Sequence, residues 1–165
     1  MRILIYGFGP YREFTDNITQ QAIALLPQID GVSTHVFDVR FDREMFESLF
    51  DTHHPDIILG LGQHPRSSVF RVESVAKNIM RDMAMAGPIN PSGATALQTN
   101  LDIPLLADTE LTDDAGEYVC NFSMYVGMEY AISHDLKYGF LHIPKDLTAA
   151  RVADYISEII SRLMA

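Results

Sequence analysis

The segment Asp56-Ile57-Ile58-Leu59-Gly60-Leu61 is apolar on both of the faces that a strand alternates between. A strand with no polar face needs cover on both sides, which places it in the middle of a parallel sheet. Parallel neighbours in turn require crossovers, usually helices. The rest of the chain supplies them. Arg2 to Tyr6 reads as a buried first strand, broken by Gly7-Phe8-Gly9-Pro10-Tyr11. Asn17 to Gln20 has capping-box spacing and predicts a helix from Ile18 to about Leu26. Val32 to Phe41 is a second strand, and Asp42 caps a helix through about Phe50. Ser68 to Val75 alternates as a further strand. Asn121 to His134 is helical, Tyr138 to Ile143 is a fifth strand halted by Pro144, and Thr148 to Met164 is a final amphipathic helix. Strands alternating with helices predict an α/β fold, a three-layer α/β/α sandwich around a mostly parallel twisted sheet. One domain over residues 1–165 is expected. Residues 81–117, rich in Gly and Pro, read as a long excursion with one hairpin, and such loops often carry function.

Charge narrows the partners. With 22 acidic and 12 basic residues the formal net charge is −10, which repels phosphate backbones and anionic membranes. No nucleic-acid or membrane partner is expected. The apolar N-terminus is too short for a secretory core, and no stretch approaches a membrane span. A single cysteine without an export signal points to the cytoplasm.

That cysteine, Cys120, has no partner for an intramolecular disulfide, and it opens the helix that follows Tyr118-Val119. Unpaired amides and the macrodipole at a helix N-terminus favour a thiolate, the nucleophilic form. Most single cysteines are instead small buried hydrophobes. A thiol nucleophile needs a base and a group to orient that base. His142 lies in a very apolar strand, where an unpaired imidazole is costly, so it is either a satisfied core histidine or that base. His64, after Gly60-Leu61-Gly62-Gln63, is a second candidate. Glu73, between apolar neighbours, is either a solvent-facing alternate or the orienter. No metal is expected, because no cysteine pair and no helical histidine pair has ligand spacing. The glycine turns lack a dinucleotide or P-loop pattern, so no cofactor is expected.

Taken together, these segments resemble the pyroglutamyl peptidase I family of cysteine peptidases. Gly7-Phe8-Gly9-Pro10-Tyr11 is similar to its Gly-Phe-x-Pro-Phe opening, and Gly60-Leu61-Gly62-Gln63 matches its Gly-Leu-Gly-Gln turn. Glu73 with Val75-Ala76 and Asn78 looks like its glutamate motif. Ala115-Gly116 with Tyr118-Val119-Cys120-Asn121 looks like its nucleophile motif, and Gly139-Phe140-Leu141-His142-Ile143-Pro144 its histidine motif. The resemblance implies a Cys120–His142–Glu73 triad that hydrolyses the amide after an N-terminal pyroglutamyl residue through a thioacyl-enzyme. The substrate would be a small peptide with a blocked N-terminus. Phe8 and Tyr11 would line the lactam pocket with Gln63 near it, and the Cys120 backbone N–H would hold the oxyanion.

The chain departs from the pattern at several points. Arg71 stands where the family has Ser or Thr, Ser74 where it has a basic residue, and Ile18 where it has proline. Arg81 lies near the family's arginine but out of register, as a candidate second oxyanion donor. The stretch from Ala94 to Gly116 is shorter than usual, in a part that often shapes the pocket and subunit contacts. The resemblance allows for a homo-oligomer. A different thiol amidohydrolase on the same scaffold, or a non-catalytic peptide-binding relative, would carry the same pattern.

Overall fold

The computed structural model describes residues 1–165. Its central sheet has six strands: β1 (Ile3–Phe8), β2 (Val32–Phe37), β3 (Ile57–His64), β4 (Phe70–Glu73), β9 (Thr109–Thr112) and β10 (Lys137–Pro144). Their order is β2-β1-β3-β10-β4-β9. The first four in that order are parallel, β4 runs antiparallel to β10, and β9 is parallel to β4. Helices α1 (Ile18–Ile23) and α4 (Ala149–Met164) cover one face; α2 (Arg43–His53) and α3 (Val119–His134) cover the other. The expected three-layer sandwich is therefore present, and Ile57 to Leu61 occupies its middle as a strand buried on both faces.

Alternation along each strand divides the core in two. Leu4, Tyr6, Ile58, Tyr138 and Phe140 pack with Phe46 and Phe50 of α2 and Phe122 and Tyr125 of α3. Ile3, Ile5, Leu59, Leu61, Leu141 and Ile143 pack instead with Ile18 and Ile23 of α1 and Val152, Ile156 and Ile159 of α4. The helix starts follow from side-chain caps. Asn17 accepts from the Thr19 amide at 3.0 Å, Asp42 from Met45 at 3.2 Å and Thr148 from Arg151 at 3.3 Å. Helix α1 ends at Ile23, short of Leu26, and β2 ends at Phe37, short of Phe41.

The excursion holds more structure than one hairpin. The strand expected over Ser68–Val75 breaks at Ser74 into β4 and β5 (Val75–Lys77). Strand β5 leaves the main sheet and pairs antiparallel with β8 (Ala96–Gln98). The expected hairpin is β6 (Met80–Asp82) with β7 (Met85–Gly87). Asn121 clamps this excursion onto α3. Its side chain accepts from the Lys77 amide at 2.9 Å and donates to the carbonyls of Lys77 and Ile79, each at 2.8 Å. The chain then returns as β9, which sets Thr112 opposite Glu73.

Candidate active site

Register alone brings the expected chemistry to one face. In the antiparallel pair of β10 and β4, His142 lies opposite Arg71 and Phe140 opposite Glu73. Directly opposed residues share a face, so Arg71, Glu73 and His142 all point toward the α3 side with Phe140. Parallel pairing of β10 with β3 sets His142 beside Gly62.

Gly62 is what admits the thiol. A Cβ built there would lie 2.6 Å from Cys120 Sγ and 3.0 Å from His142 Cδ2. Thiol and imidazole thus both reach the space that any other residue would fill. Cδ2 adjoins Nε2, so the ring turns its Nε2 edge toward the sulfur. Its other nitrogen, Nδ1, is 2.7 Å from Glu73 Oε1. Glu73 is fully buried and His142 is 4 % exposed, so this bond is shielded from water. Thr112 Oγ1 donates to the other carboxylate oxygen, Glu73 Oε2. Both oxygens are therefore held, and the carboxylate holds the ring in turn.

Electrostatics favour a charged ring. Burial pulls His142 down, but the Cys120 charge and hydrogen bonding, with the Glu73 hydrogen bond and charge, outweigh it and raise His142 to about 9. Tyr11 feels the same sulfur: burial first, then the Cys120 charge, push its phenol up. A buried hydroxyl network lies beneath the thiol. Tyr6 Oη and Tyr138 Oη are 2.5 Å apart, Tyr6 Oη donates to Ser123 Oγ at 3.0 Å, and Ser123 Oγ donates to the Cys120 carbonyl at 2.9 Å.

Helix α3 begins without a side-chain cap: Tyr118 is the cap residue and makes no such bond. Its backbone carbonyl takes the Phe122 amide at 3.0 Å. The amides of Val119, Cys120 and Asn121 lie in the first turn, before the helix supplies acceptors. A partial positive pole with free donors therefore sits at the thiol.

Cys120 and His142 line a cavity of about 630 Å3, a volume usual for a small-ligand site. Phe8, Tyr11 and Gln63 line it too. Tyr11, Phe14 and Tyr118 form an aromatic wall, with ring centroids 5.0 Å apart for Tyr11–Phe14 and 6.3 Å for Tyr11–Tyr118. Gln63 is anchored, its Oε1 accepting from the Ile18 amide at 2.9 Å. His64 also lines the cavity, with its ring centroid 5.3 Å from that of His142, but no carboxylate holds it as Glu73 holds His142. Arg81 is not brought to the cavity. It lies on the β6–β7 hairpin, where its Nε pairs with Glu117 Oε2 at 2.5 Å. The arginine that does line the cavity beside Glu73 is Arg71, whose Nε is 3.5 Å from Glu73 Oε1. Thr112 has only one local signal in the sequence, the alternation of Thr109-Glu110-Leu111-Thr112.

A thiol, an imidazole and a carboxylate assembled on an α/β/α scaffold are the equipment of a cysteine peptidase. The chain belongs to the pyroglutamyl peptidase family, whose model matches residues 1–154. The pyrrolidone-carboxylate peptidase of Thermosipho melanesiensis is 32% identical over 168 residues, covering 87% of this chain and 83% of the relative. That of Alkaliphilus oremlandii is 30% identical over 167 residues, covering 87% and 78%. Among solved structures, a mutant pyrrolidone carboxyl peptidase from Pyrococcus furiosus shares the fold with a TM-score of 0.84. It is 21% identical and covers 98% of this chain and 97% of its own. The pyrrolidone carboxyl peptidase from Thermus thermophilus has a TM-score of 0.78 at 24% identity, covering 96% and 98%. The chain is thus an enzyme of the cysteine peptidase class. No helix is long and apolar enough to cross a membrane.

Proposed function

We propose that this enzyme removes an N-terminal pyroglutamyl residue from small peptides through a Cys120–His142–Glu73 triad. The observation that carries the reading is the 2.7 Å bond from His142 Nδ1 to buried Glu73, with Cys120 Sγ on the ring's opposite edge. Cys120 Sγ attacks the pyroglutamyl carbonyl, and the carbonyl π electrons move to oxygen. The Cys120 backbone N–H at the open end of α3 receives that oxyanion, a donor typically worth ~3 kcal/mol to the transition state. As the carbon–nitrogen bond breaks, the His142 imidazolium gives its Nε2 proton to the leaving amine. Water then adds to the thioester with His142 as base, and pyroglutamate leaves as the thiolate re-forms.

Glu73 keeps the Nδ1 proton on the ring throughout, so Nε2 always faces the reacting atoms. The substrate's end is a flat lactam without a charged amine. Phe8, Tyr11 and Gln63 suit it, since they offer aromatic surface and one amide rather than a carboxylate. The soluble peptide substrate is consistent with an expected cytoplasmic site of action.

The test is release of a fluorophore from a pyroglutamyl amide by the parent enzyme and by Cys120→Ser. Turnover lost in the variant, with a mass increase of one pyroglutamyl group on Cys120 during parent turnover, is the expected result. Activity surviving in Cys120→Ser would remove Cys120 as nucleophile. Alkylation of Cys120 near neutral pH without turnover of any pyroglutamyl amide would assign the scaffold to a different thiol amidohydrolase.

A further inference from the structure

One corner of the cavity is basic, although the chain as a whole carries −10. His64, at the end of β3, lines it with Arg66 of the following loop and Arg71 of β4. Tyr11 and Phe14 of the aromatic wall stand on the β1–α1 loop, and Tyr118 stands at the start of α3. In the sheet order, β1 and β4 flank the β3–β10 pair on opposite sides. Arg71, on β4, therefore lies across β10 and His142 from the β1 side, and its Nη1 reaches to 2.9 Å from His64 Nε2 at the end of β3. The lactam belongs against the aromatic wall, and His142 protonates the leaving amine. The first residue of the leaving peptide consequently lies toward His64, Arg66 and Arg71.

Hydrogen bonding in this corner does not close. His64 Nδ1 accepts from the Ser67 amide at 2.9 Å and the Arg66 amide at 3.3 Å. Its Nε2 is 2.9 Å from Arg71 Nη1, a guanidinium nitrogen that can only donate. A neutral imidazole accepts at one nitrogen only. With Nδ1 taken by the backbone, the ring proton is on Nε2, and two N–H groups face each other without an acceptor between them. Burial, the nearby His142 charge and Arg71 hold His64 at about 4, so protonation does not remove the conflict. It would leave both partners donating in any case.

Arg66 adds a free charge. Every other arginine is within 4.0 Å of a carboxylate, whereas the Arg66 guanidinium has neither an ion pair nor a side-chain hydrogen bond. Two acidic residues also line the cavity. Asp114 Oδ1 is already taken by Lys77 Nζ at 3.1 Å and the Gly116 amide at 3.1 Å. Glu13 belongs to the β1–α1 loop, on the aromatic side. Unpaired donors next to an unpaired cation call for an anionic acceptor.

Building on the reading of the site as a pyroglutamyl peptidase, we propose that His64, Arg66 and Arg71 bind a carboxylate on the residue that follows the scissile amide. Two sources carry that group: the terminal carboxylate of a pyroglutamyl dipeptide, or the side chain of an Asp or Glu in second position. The enzyme then favours short or acidic substrates over neutral amides of the same length.

The experiment compares kcat/KM for pyroglutamyl-alanine, pyroglutamyl-alanine amide and pyroglutamyl-glutamate amide, using the parent, Arg66→Gln and Arg66→Glu. Arg66 is exposed on a loop, so both variants are expected to fold. In the parent, a carboxylate substrate is expected to exceed the neutral amide by about tenfold, as charge-assisted hydrogen bonds at a partly wet site provide. Arg66→Gln reduces that ratio severalfold, and Arg66→Glu brings it to about one or below. A gain shared by the dipeptide and the glutamate amide assigns the site to any carboxylate at that place. A gain by the dipeptide alone assigns it to the chain terminus. Equal turnover of all three substrates by the parent, or a ratio that neither variant changes, overturns the proposal and leaves the peptidase reading standing. Turnover of none of them overturns both.

Discussion

Gly62→Ala is the sharpest perturbation available, because a single methyl would enter the space between thiol and imidazole. The added Cβ would sit 2.6 Å from Cys120 Sγ, 2.8 Å from Phe140 Cζ and 3.0 Å from His142 Cδ2. Ordinary contact lies at about 3.5–4.0 Å, so the sulfur must retreat by about 1 Å. Phe140 is fully buried and His142 is tied to Glu73, so neither yields easily. A misplacement of about 1 Å at reacting atoms costs ~100-fold in rate. Overpacking of this kind also costs ~1–3 kcal/mol, or about 2–12 °C in Tm for a chain of this size.

The assay is kcat/KM on a pyroglutamyl amide below the Tm, with circular dichroism to measure the folded fraction. Two further alanines separate the effects. At Gly60 a Cβ would meet Phe140 Cδ2 at 2.5 Å and Tyr6 Oη at 2.6 Å, which burdens the core without touching the sulfur. At Gly87 no atom lies within 4 Å. Gly60→Ala is expected to lose stability and Gly87→Ala to lose nothing, whereas Gly62→Ala loses turnover even when fully folded. A folded Gly62→Ala enzyme within threefold of the parent would refute the placement of Cys120 against His142.

Three other outcomes follow from the same geometry. Glu73→Gln keeps a hydrogen-bond acceptor for His142 Nδ1 but removes the charge that favours the imidazolium. The alkaline limb of kcat/KM, expected near the His142 value of about 9, should therefore move down by roughly one pH unit, for a loss of ~1–2 kcal/mol of charge assistance. A profile that stays in place would remove Glu73 from control of the ring. In Cys120→Ser the largest influence raising His142 disappears while burial remains, so its NMR titration midpoint should fall below about 9; a constant midpoint would show the thiol to be out of reach. Asn121→Ala unties Lys77 and Ile79 from α3 and leaves their backbone groups unpaired. Thermal unfolding should register a loss of ~2–4 kcal/mol, and an unchanged Tm would show the clamp to be incidental.

How far these features could be read from the chain depends on how local their causes are. Strands β1, β3 and β10 and helices α2 and α4 announce themselves, because apolar period and capping residues act within one element. Strand β9 did not, because Thr109–Thr112 is held by pairing with β4 rather than by its own residues, and four residues among prolines and glycines carry little signal. Thr112 and its bond to Glu73 Oε2 lie on that strand and share its weak signal. The arginines make the same point. Its place in the sequence pattern puts Arg81 near the nucleophile, yet the hairpin carries it to Glu117. Arg71 departs from the family pattern, but its spacing of two from Glu73 on a strand requires both side chains to share a face. Once β4 runs antiparallel to β10, that face is the one holding His142. Period-two spacing thus places Arg71 at the candidate site by geometry, and from there its side chain reaches past β10 to bring Nη1 within 2.9 Å of His64 Nε2.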